Sequence, residues 1–308
     1  MVKKLKKFKD VDHVAESLES ADYICSKTIA TVVFLAQATQ KPVLVEGPAG
    51  VGKTELSKAV ARSLERELIR LQCYEGLDET KALYEWEYAK QLLYTQMVKE
   101  KIDDVVSGAQ NLPEAVDRIA AQEDAFFSER FIQPRPLLQA ISSVQPVVLL
   151  VDEVDKSDPE FEAFLLEVLS DFQVSIPELG TRTARSIPFV FLTSNDSRDM
   201  SDALKRRCIH LYIDYPGRDL EMKIVRLKIP KITDRLAGQL IDAIHKIRDL
   251  DLKKKPCVSE TLDWAQSLIA LQIEDLSPEV VSDTLNVILK YQADVDQVRD
   301  RLAQLIKK

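Results

Sequence analysis

The chain has 308 residues, of which 45% are hydrophobic and 30% charged, and its formal net charge is −8. This length can bury a sizeable core in one large domain plus a smaller one, or in two of similar size. No run approaches the roughly 20 apolar residues of a membrane span and the lysine-rich start lacks a secretory signal's apolar core, so we expect a cytoplasmic protein without membrane insertion. The acidic charge argues against general nucleic-acid binding, which usually needs a basic face.

Two helices are predicted at the start of the chain. Apolar residues recur at helical spacing between Val11 and Ala38, so two helices should pack against the core before the first strand. They are preceded by one dense basic run, which we interpret as a frayed, solvated terminus rather than a binding arm. The run consists of Lys3, Lys4, Lys6, Lys7 and Lys9.

Five short apolar runs rich in β-branched residues predict strands. They lie at residues 43–45, 68–71, 147–151, 189–192 and 209–213, and helical stretches separate most of them. This alternation predicts an α/β fold whose parallel sheet is covered on both faces. Strand signals stop after residue 214, so residues 1–214 should form a large αβα domain and residues 215–308 a separate helical domain.

Two segments interrupt the alternation. The stretch at about 75–146 is too long for a simple crossover and should be a helical, partly exposed insertion. Residues 172–176 alternate in polarity and are followed by turn-forming residues, so a projecting β-hairpin is predicted at about 172–188. An edge hairpin with one buried face is the alternative interpretation of the second segment.

The first strand leads directly into a phosphate-loop motif of the form G-x-x-x-x-G-K-T. Its glycines permit a tight backbone that directs N–H groups at phosphate oxygens, and the following helix N-terminus adds a favourable dipole. Lys53 is predicted to reach the β and γ phosphates and Thr54 to ligate Mg²⁺. The predicted nucleotide-binding residues are Gly47, Pro48, Ala49, Gly50, Val51, Gly52, Lys53, Thr54 and Glu55.

The third predicted strand ends in two carboxylates, a Walker B pattern. Carboxyl ends of parallel strands line the ligand crevice, so Asp152 can hold the Mg²⁺ shell directly or through water. Glu153 is predicted to polarise the water that attacks the γ-phosphate.

Polar residues also follow the fourth strand and precede the fifth. Asn195 can hydrogen-bond the γ-phosphate and the attacking water, although a turn role is the simpler interpretation for Asn195 taken alone. Arg206 and Arg207 come just before the fifth strand. A guanidinium group there can stabilise charge developing on the γ-phosphate of a neighbouring subunit, and surface salt bridging is the alternative for either arginine.

The order of these motifs resembles the AAA+ ATPases, and further stretches resemble the CoxD-type branch of the MoxR family, the maturation ATPases of molybdenum hydroxylases such as carbon monoxide dehydrogenase. The resemblance extends from about Asp22 to Tyr291. The stretches that carry it are Cys73–Leu77, Ala82–Trp86, Phe161–Asp171 and Leu204–Ile209.

The resemblance implies a hexameric ring that hydrolyses ATP with Mg²⁺ at subunit interfaces. Such a ring would remodel a metalloenzyme client during complex assembly or cofactor insertion, often with a von Willebrand A domain partner. It also implies that Arg206 or Arg207 is the finger acting in trans, that 172–188 is the pre-sensor-1 hairpin, and that 75–146 holds the helix-2 insert. The helical domain would be the lid.

One departure from the family concerns the lid. MoxR proteins usually carry a sensor-2 arginine at the start of a lid helix within a Ser-Pro-Arg-like stretch, and the matching stretch here is Ser277-Pro278-Glu279. A glutamate cannot grip a phosphate. Either another basic residue contacts the nucleotide or the lid couples weakly to it.

Other functions of a phosphate-loop protein are alternatives to this one. A phosphate-loop kinase would waste ATP with a water-activating Glu153 beside Asn195, and a GTPase would need an Asn-Lys-x-Asp guanine reader that the chain lacks. A nucleotide-gated scaffold with weak turnover and a nucleic-acid-remodelling motor are the remaining alternatives, and the acidic charge disfavours the second.

Overall fold

The computed structural model describes residues 6–97, 129–176 and 180–302, together with isolated positions between 107 and 118. The strands are β1 (Val43–Glu46), β2 (Leu68–Gln72), β3 (Tyr84–Trp86), β4 (Ile132–Pro134), β5 (Val148–Asp152), β6 (Gln173–Ile176), β7 (Gly180–Thr183), β8 (Phe189–Ser194) and β9 (Ile209–Tyr212). The helices before β5 are α1 (Val11–Ser20), α2 (Lys27–Thr39), α3 (Lys53–Ser63), α4 (Glu79–Leu83), α5 (Tyr88–Met97) and α6 (Pro136–Ser142). Those after β5 are α7 (Pro159–Asp171), α8 (Asp202–Arg207), α9 (Arg218–Lys228), α10 (Asp234–Arg248), α11 (Val258–Ala270), α12 (Pro278–Ile288) and α13 (Gln292–Arg299).

A five-stranded parallel sheet in the order β2-β5-β8-β1-β9 is the centre of the molecule. All five predicted strands are present, and the predicted α/β class is confirmed. Because β1 pairs with β8 on one side and β9 on the other, Val43 lies beside Phe191 and Ile209. The parallel arrangement brings the carboxyl ends of all five strands to one edge, where the phosphate loop begins.

Helices cover both faces of this sheet, as the alternation predicted. On β5, Val148 and Leu150 join the apolar cluster formed with α1, α2 and α3. Leu149 and Val151 point to the other face, into the cluster formed with α6 and α7. Burial on both sides explains why the central strands are continuously apolar rather than alternating.

The two predicted N-terminal helices are α1 and α2, capped by the side chains of Asp10 and Ser26. The segment before them is fixed rather than frayed, which corrects the interpretation of the basic run for its described part. Phe8 is 4% exposed, and its backbone N–H and carbonyl both bond the side-chain amide of Gln37, at 3.0 and 3.1 Å. Lys3 and Lys4 lie outside the described residues.

The two interrupting segments are present in part. The insertion predicted at 75–146 is not purely helical, since β3 and β4 form a small antiparallel sheet between α4 and α6, and residues 98–106 and most of 108–128 lie outside the described chain. The predicted hairpin is β6 paired with β7, with Gln173 opposite Thr183. Its turn residues 177–179 are not described.

Helices alone follow β9 in the part of the chain that the structure describes. Helices α9 to α13 pack around their own apolar core, in which Trp264 is fully buried and donates its indole N–H to Thr284 Oγ1 at 2.8 Å. Within this core the carboxylate of Glu221 accepts two hydrogen bonds from Arg248, at 2.6 and 2.8 Å. The pair joins α9 to α10.

Candidate functional site

The phosphate loop occupies the turn between β1 and α3. Gly47, Gly50 and Gly52 have φ values of +139°, +75° and +102°, a range that glycine adopts without strain. A Cβ at Gly47 would lie 2.0 Å from the carbonyl oxygen of Ile213, and one at Gly50 would lie 2.0 Å from Cys257 Sγ. The loop is therefore enclosed by the end of β9 on one side and by the start of α11 on the other.

Lys53 lies inside this loop and is 6% exposed. Its ammonium group donates to the carbonyl oxygens of Gly47 and Pro48, at 2.7 and 2.6 Å, and to Asn195 Oδ1 at 2.9 Å. Burial lowers the pKa of Lys53, and the nearby carboxylates, led by Asp155, oppose that shift. The predicted phosphate-binding lysine and the predicted polar residue at the end of β8 are thus in direct contact.

Asp152 is the centre of a hydrogen-bond network and is 2% exposed. Its Oδ1 accepts from Thr54 Oγ1 at 2.9 Å and from Thr193 Oγ1 at 2.5 Å. Its Oδ2 accepts from two guanidinium nitrogens of Arg70, at 3.0 and 2.6 Å. The sequence predicted Asp152 and Thr54 but not Arg70 or Thr193, which come from two other strands.

The Glu153 carboxylate is held by three neighbouring side chains. Its Oε2 accepts from Gln72 Nε2 at 3.1 Å and from Lys156 Nζ at 2.5 Å, while its Oε1 accepts from Asn195 Nδ2 at 3.3 Å. Its backbone has a left-handed φ of +55°, and its N–H donates to Thr193 Oγ1 at 3.0 Å. In this arrangement both oxygens of the predicted water-activating carboxylate are bonded to protein.

Asp155 fixes the turn that carries Asn195, a role the sequence did not reveal. Its Oδ2 accepts from the backbone N–H of Asn195 at 3.2 Å, and from the N–H and hydroxyl of Ser197 at 3.2 and 2.5 Å. Burial acts to raise the pKa of Asp155, but these hydrogen bonds outweigh it and lower the pKa overall. The turn chemistry seen in the sequence is thus what orients Asn195 toward Lys53.

Arg206 and Arg207 lie away from the phosphate loop of their own chain. Both are exposed at the end of α8, and the next strand begins where Ile209 N–H bonds the carbonyl of Pro42 at 2.8 Å. Pro42 lies just before β1, and the phosphate loop lies just after β1. The length of this strand, about 13 Å, therefore separates the start of β9 from the phosphate loop. The structure brings the other predicted site residues together but leaves this pair at the opposite edge of the sheet.

A cleft of about 550 Å³ adjoins the phosphate loop. Its volume is in the range of small-molecule sites. The α1–α2 turn, the loop itself, the segment after β9, α9 and α11 form its walls, and the mostly apolar lining includes Tyr23, Ile29, Val51, Ile213, Tyr215 and Leu262. Glu55 also lines it but pairs with Arg62 at 2.8 Å on the same helix, and Ala49 is exposed.

The C-terminal helix that contacts the phosphate loop is α11. Cys257, the residue before α11, packs on Gly50, and Ser259 Oγ lies 3.5 Å from the Gly50 carbonyl oxygen. Glu279, in the Ser-Pro-Glu stretch at the start of α12, is exposed to solvent. The stretch that the resemblance matched to the sensor-2 position thus lies on a different helix from the one seen to touch the loop, and the role of another basic residue in contacting nucleotide stays a prediction.

The donor set at this site fits a hard divalent cation. Thr54 Oγ1 and Asp152 Oδ1 are 2.9 Å apart, a hydroxyl and a buried carboxylate beside the phosphate loop. Among the described residues, no group of three or more His, Cys, Asp or Glu side chains is placed to hold a metal. One carboxylate with a hydroxyl suits Mg²⁺ bound together with substrate phosphates rather than in a protein cage.

Comparisons with known proteins agree with the fold. Residues 42–208 match the family model of the AAA domain, dynein-related subfamily. The Thermotoga maritima RuvB Holliday junction branch migration motor is 16% identical, with a TM-score of 0.47, and the match covers 91% of this chain and 72% of that one. A Cytophaga hutchinsonii protein described as a candidate ATPase is 14% identical, with a TM-score of 0.48 and coverages of 96% and 94%.

No curated protein matches the chain significantly. In the described part of the chain, none of the helices has the length and apolar character needed to cross a membrane.

Proposed function

Because the chain belongs to the AAA domain family, dynein-related subfamily, and is an ATPase, we propose that it hydrolyses Mg·ATP to remodel a partner protein. The work would serve assembly of an enzyme complex or insertion of its metal cofactor, as in the MoxR family. A single observation carries the proposal: the phosphate loop, the two carboxylates and Asn195 converge at one edge of the sheet, while two arginines lie exposed at the other edge.

The convergent residues divide the chemistry of hydrolysis. Lys53, now bonded to loop carbonyls, would exchange them for phosphate oxygens, and Asn195 would move with it to the γ-phosphate. Mg²⁺, when bound at Thr54 and Asp152, would neutralise charge on the phosphate oxygens. Glu153 would accept a proton from the attacking water as that oxygen bonds to phosphorus and the bond to the ADP oxygen breaks.

For Glu153 to do this, its carboxylate must leave two of its present partners. Gln72 and Lys156 both donate to Oε2, so this oxygen is occupied by protein groups. Release of Lys156 would free it for the attacking water.

The arginines support a shared site between copies of the chain. Because Arg206 and Arg207 are separated from their own phosphate loop by the length of β1, a second copy is the natural recipient of their charge. A closed ring in which each chain supplies arginines to the next satisfies every site with one repeated contact. The hexamer implied by the family resemblance is such a ring.

The client and its partner follow from the family resemblance alone. The stretches that resemble the CoxD-type branch include α7 and α8, which lie beside the β6–β7 hairpin and the arginines. We infer a metalloenzyme client, a molybdenum hydroxylase such as carbon monoxide dehydrogenase. A von Willebrand A domain protein would be the partner of the ring.

The first experiment measures steady-state ATP hydrolysis by the purified chain and by Glu153→Gln. We expect turnover by the wild type and a loss of about 100-fold or more in the variant with ATP binding retained, since only the proton acceptor is removed. Affinity capture with the variant should then retain the client in an ATP-dependent manner. Absence of hydrolysis by the wild type, even in the assembled state with the captured partner, would rule out the motor.

The second experiment tests sharing of the site. Lys53→Ala subunits lack a functional phosphate loop, and Arg206→Ala/Arg207→Ala subunits lack the finger, so each alone should be inactive. If the arginines act in trans, mixing the two should restore a fraction of turnover, because some interfaces then pair an intact loop with intact arginines. The control is a mixture of Lys53→Ala with Glu153→Gln, two loop-side defects that cannot complement.

A further inference from the structure

A second cavity lies at the edge of the sheet opposite the phosphate loop. It has a volume of about 350 Å³ and is bounded by the end of α2, the α3–β2 turn and the segments that precede β5 and β8. Phe189, which lines it, begins the strand that ends at Ser194 beside the nucleotide site. The length of β8, about 20 Å, therefore separates the two cavities.

The lining of this cavity is basic. Its polar side chains are Lys7, Lys41, Arg66, Gln37, Gln40 and Ser186. No aspartate or glutamate is among the described lining residues, and none is paired with Lys7 or Lys41 in the described chain. Three cations without an acid are unusual in a chain of net charge −8, because neighbouring like charges repel unless an anion lies between them.

Arg66 is the least compensated of the three. Its Nε is buried and has no hydrogen-bond partner among the described residues, and its Nη2 lies 3.5 Å from the Lys6 carbonyl oxygen. Burial lowers the pKa of Arg66, and no carboxylate opposes that shift. Leaving the buried Nε–H donor without a partner costs free energy, which a bound anion would recover.

The N-terminal segment completes the cavity. Phe8 is fixed by its two hydrogen bonds to Gln37, and this attachment places Lys7 at the rim. Nearby, Lys6 is paired with Glu65 at 2.8 Å, so it is neutralised where Lys7 is not. The C-terminal ends of α2 and α3 are close by, and their carbonyl dipoles favour cations there, but they do not bond Arg66 Nε.

We propose that this cavity binds a small ligand that carries two or more negative charges on phosphate or carboxylate groups. The guanidinium of Arg66 would donate from Nε and an Nη nitrogen in a forked contact, and Lys7 and Lys41 would supply further charge-assisted hydrogen bonds. Gln40 and Ser186 would fix its orientation. The site is independent of the proposed ATPase chemistry and can be measured without it.

The test is calorimetric titration of the full chain with inorganic phosphate and, separately, with citrate at low ionic strength. Phosphate can also enter the phosphate loop, so each titration is repeated on Lys53→Ala, and binding at the second cavity should survive that change. Binding of phosphate alone, citrate alone or both supports the site and identifies the favoured group. Absence of binding by either anion, or its loss in Lys53→Ala, overturns the proposal.

Variants of the cavity locate the ligand. Arg66→Gln and Lys41→Gln should each weaken anion binding about tenfold, the effect of one charge-assisted hydrogen bond. The affinity of Arg66→Lys should lie between those of wild type and Arg66→Gln, since lysine keeps the charge but cannot make the two-nitrogen contact. The matched control is Lys231→Gln, which removes the same charge from an exposed turn before α10. Equal affinities in Arg66→Gln and Lys231→Gln would refute the assignment, and thermal unfolding of each variant verifies that it is folded.

Discussion

Replacement of Asp155 by asparagine tests whether the orientation of Asn195 controls turnover. The wild-type carboxylate accepts three hydrogen bonds on one oxygen, from the backbone N–H of Asn195 and from the N–H and hydroxyl of Ser197. The substitution preserves shape but removes the charge. It also replaces one carboxylate oxygen by an NH₂ group, which cannot accept a hydrogen bond.

The expected cost follows from the number of bonds. Hydrogen bonds to a charged acceptor contribute about 1.5–3 kcal/mol and neutral ones about 1 kcal/mol, so three weakened bonds lower the free energy of unfolding by about 3 kcal/mol. A displacement of Asn195 by about 1 Å should lower kcat by about 100-fold. The KM for ATP should change by less than about threefold, because Asp155 does not line the cleft that adjoins the phosphate loop.

The assay combines urea unfolding with the dependence of hydrolysis on ATP concentration. Ser197→Ala is the graded control, because it removes only the hydroxyl bond and keeps the two backbone bonds to Asp155. It should lose about 1 kcal/mol of stability and a smaller part of kcat. A folded Asp155→Asn protein with wild-type kcat would refute the argument that this carboxylate positions Asn195.

Three further outcomes follow from the same geometry. Hydrogen bonds lower the pKa of the Asp155 carboxyl below 3.8 in the folded state. The charged carboxylate therefore stabilises the fold fully above pH 3.8, and this contribution is lost as the pH falls through the lowered pKa. The free energies of urea unfolding of wild type and Asp155→Asn should converge at acid pH. Gly50→Ala should displace α11, since its Cβ would meet Cys257 Sγ; faster alkylation of Cys257 than in wild type would show this, and an unchanged rate would contradict it. Arg70→Met should destabilise the magnesium-free protein by about 1 kcal/mol. It should also tighten Mg²⁺ binding, measured by titration, because Asp152 no longer pairs with the Arg70 guanidinium. Weaker Mg²⁺ binding would argue that Arg70 supports the metal site.

The strands and the phosphate loop could be predicted from the sequence because their signals are local. A continuous apolar run such as 147–151 identifies a buried parallel strand, and the glycines of 47–52 have few other uses in that spacing. Strand order is set by pairing between distant segments, so no local pattern reveals that β8 lies between β5 and β1. The same holds for Arg70 and Gln72, whose partners at the end of β5, Asp152 and Glu153, are known only once the strands are adjacent.

The C-terminal helices show that a clear helix-start signal does not locate a helix relative to the phosphate loop. Ser277 followed by Pro278 is a conventional helix start, and the family resemblance matched this stretch to the one that usually carries the sensor-2 arginine. Helix α11 instead starts after Cys257, an unusual cap whose backbone N–H bonds the Glu260 carboxylate at 2.7 Å. Because cap quality reports helix formation rather than position, only the packing of Cys257 on Gly50 identifies the helix that contacts the loop.

The pairing of β1 also sets when nucleotide binding can arise during synthesis. Both neighbours of this strand are encoded far downstream, and the Ile213 N–H bonds the Glu46 carbonyl at 2.9 Å just before the loop. Such long-range parallel contacts form late, because distant segments must meet before any pairing stabilises them. A nascent chain would therefore carry its phosphate loop unformed until residue 213 has left the ribosome, and it would acquire affinity for ATP only as the C-terminal helices are being made.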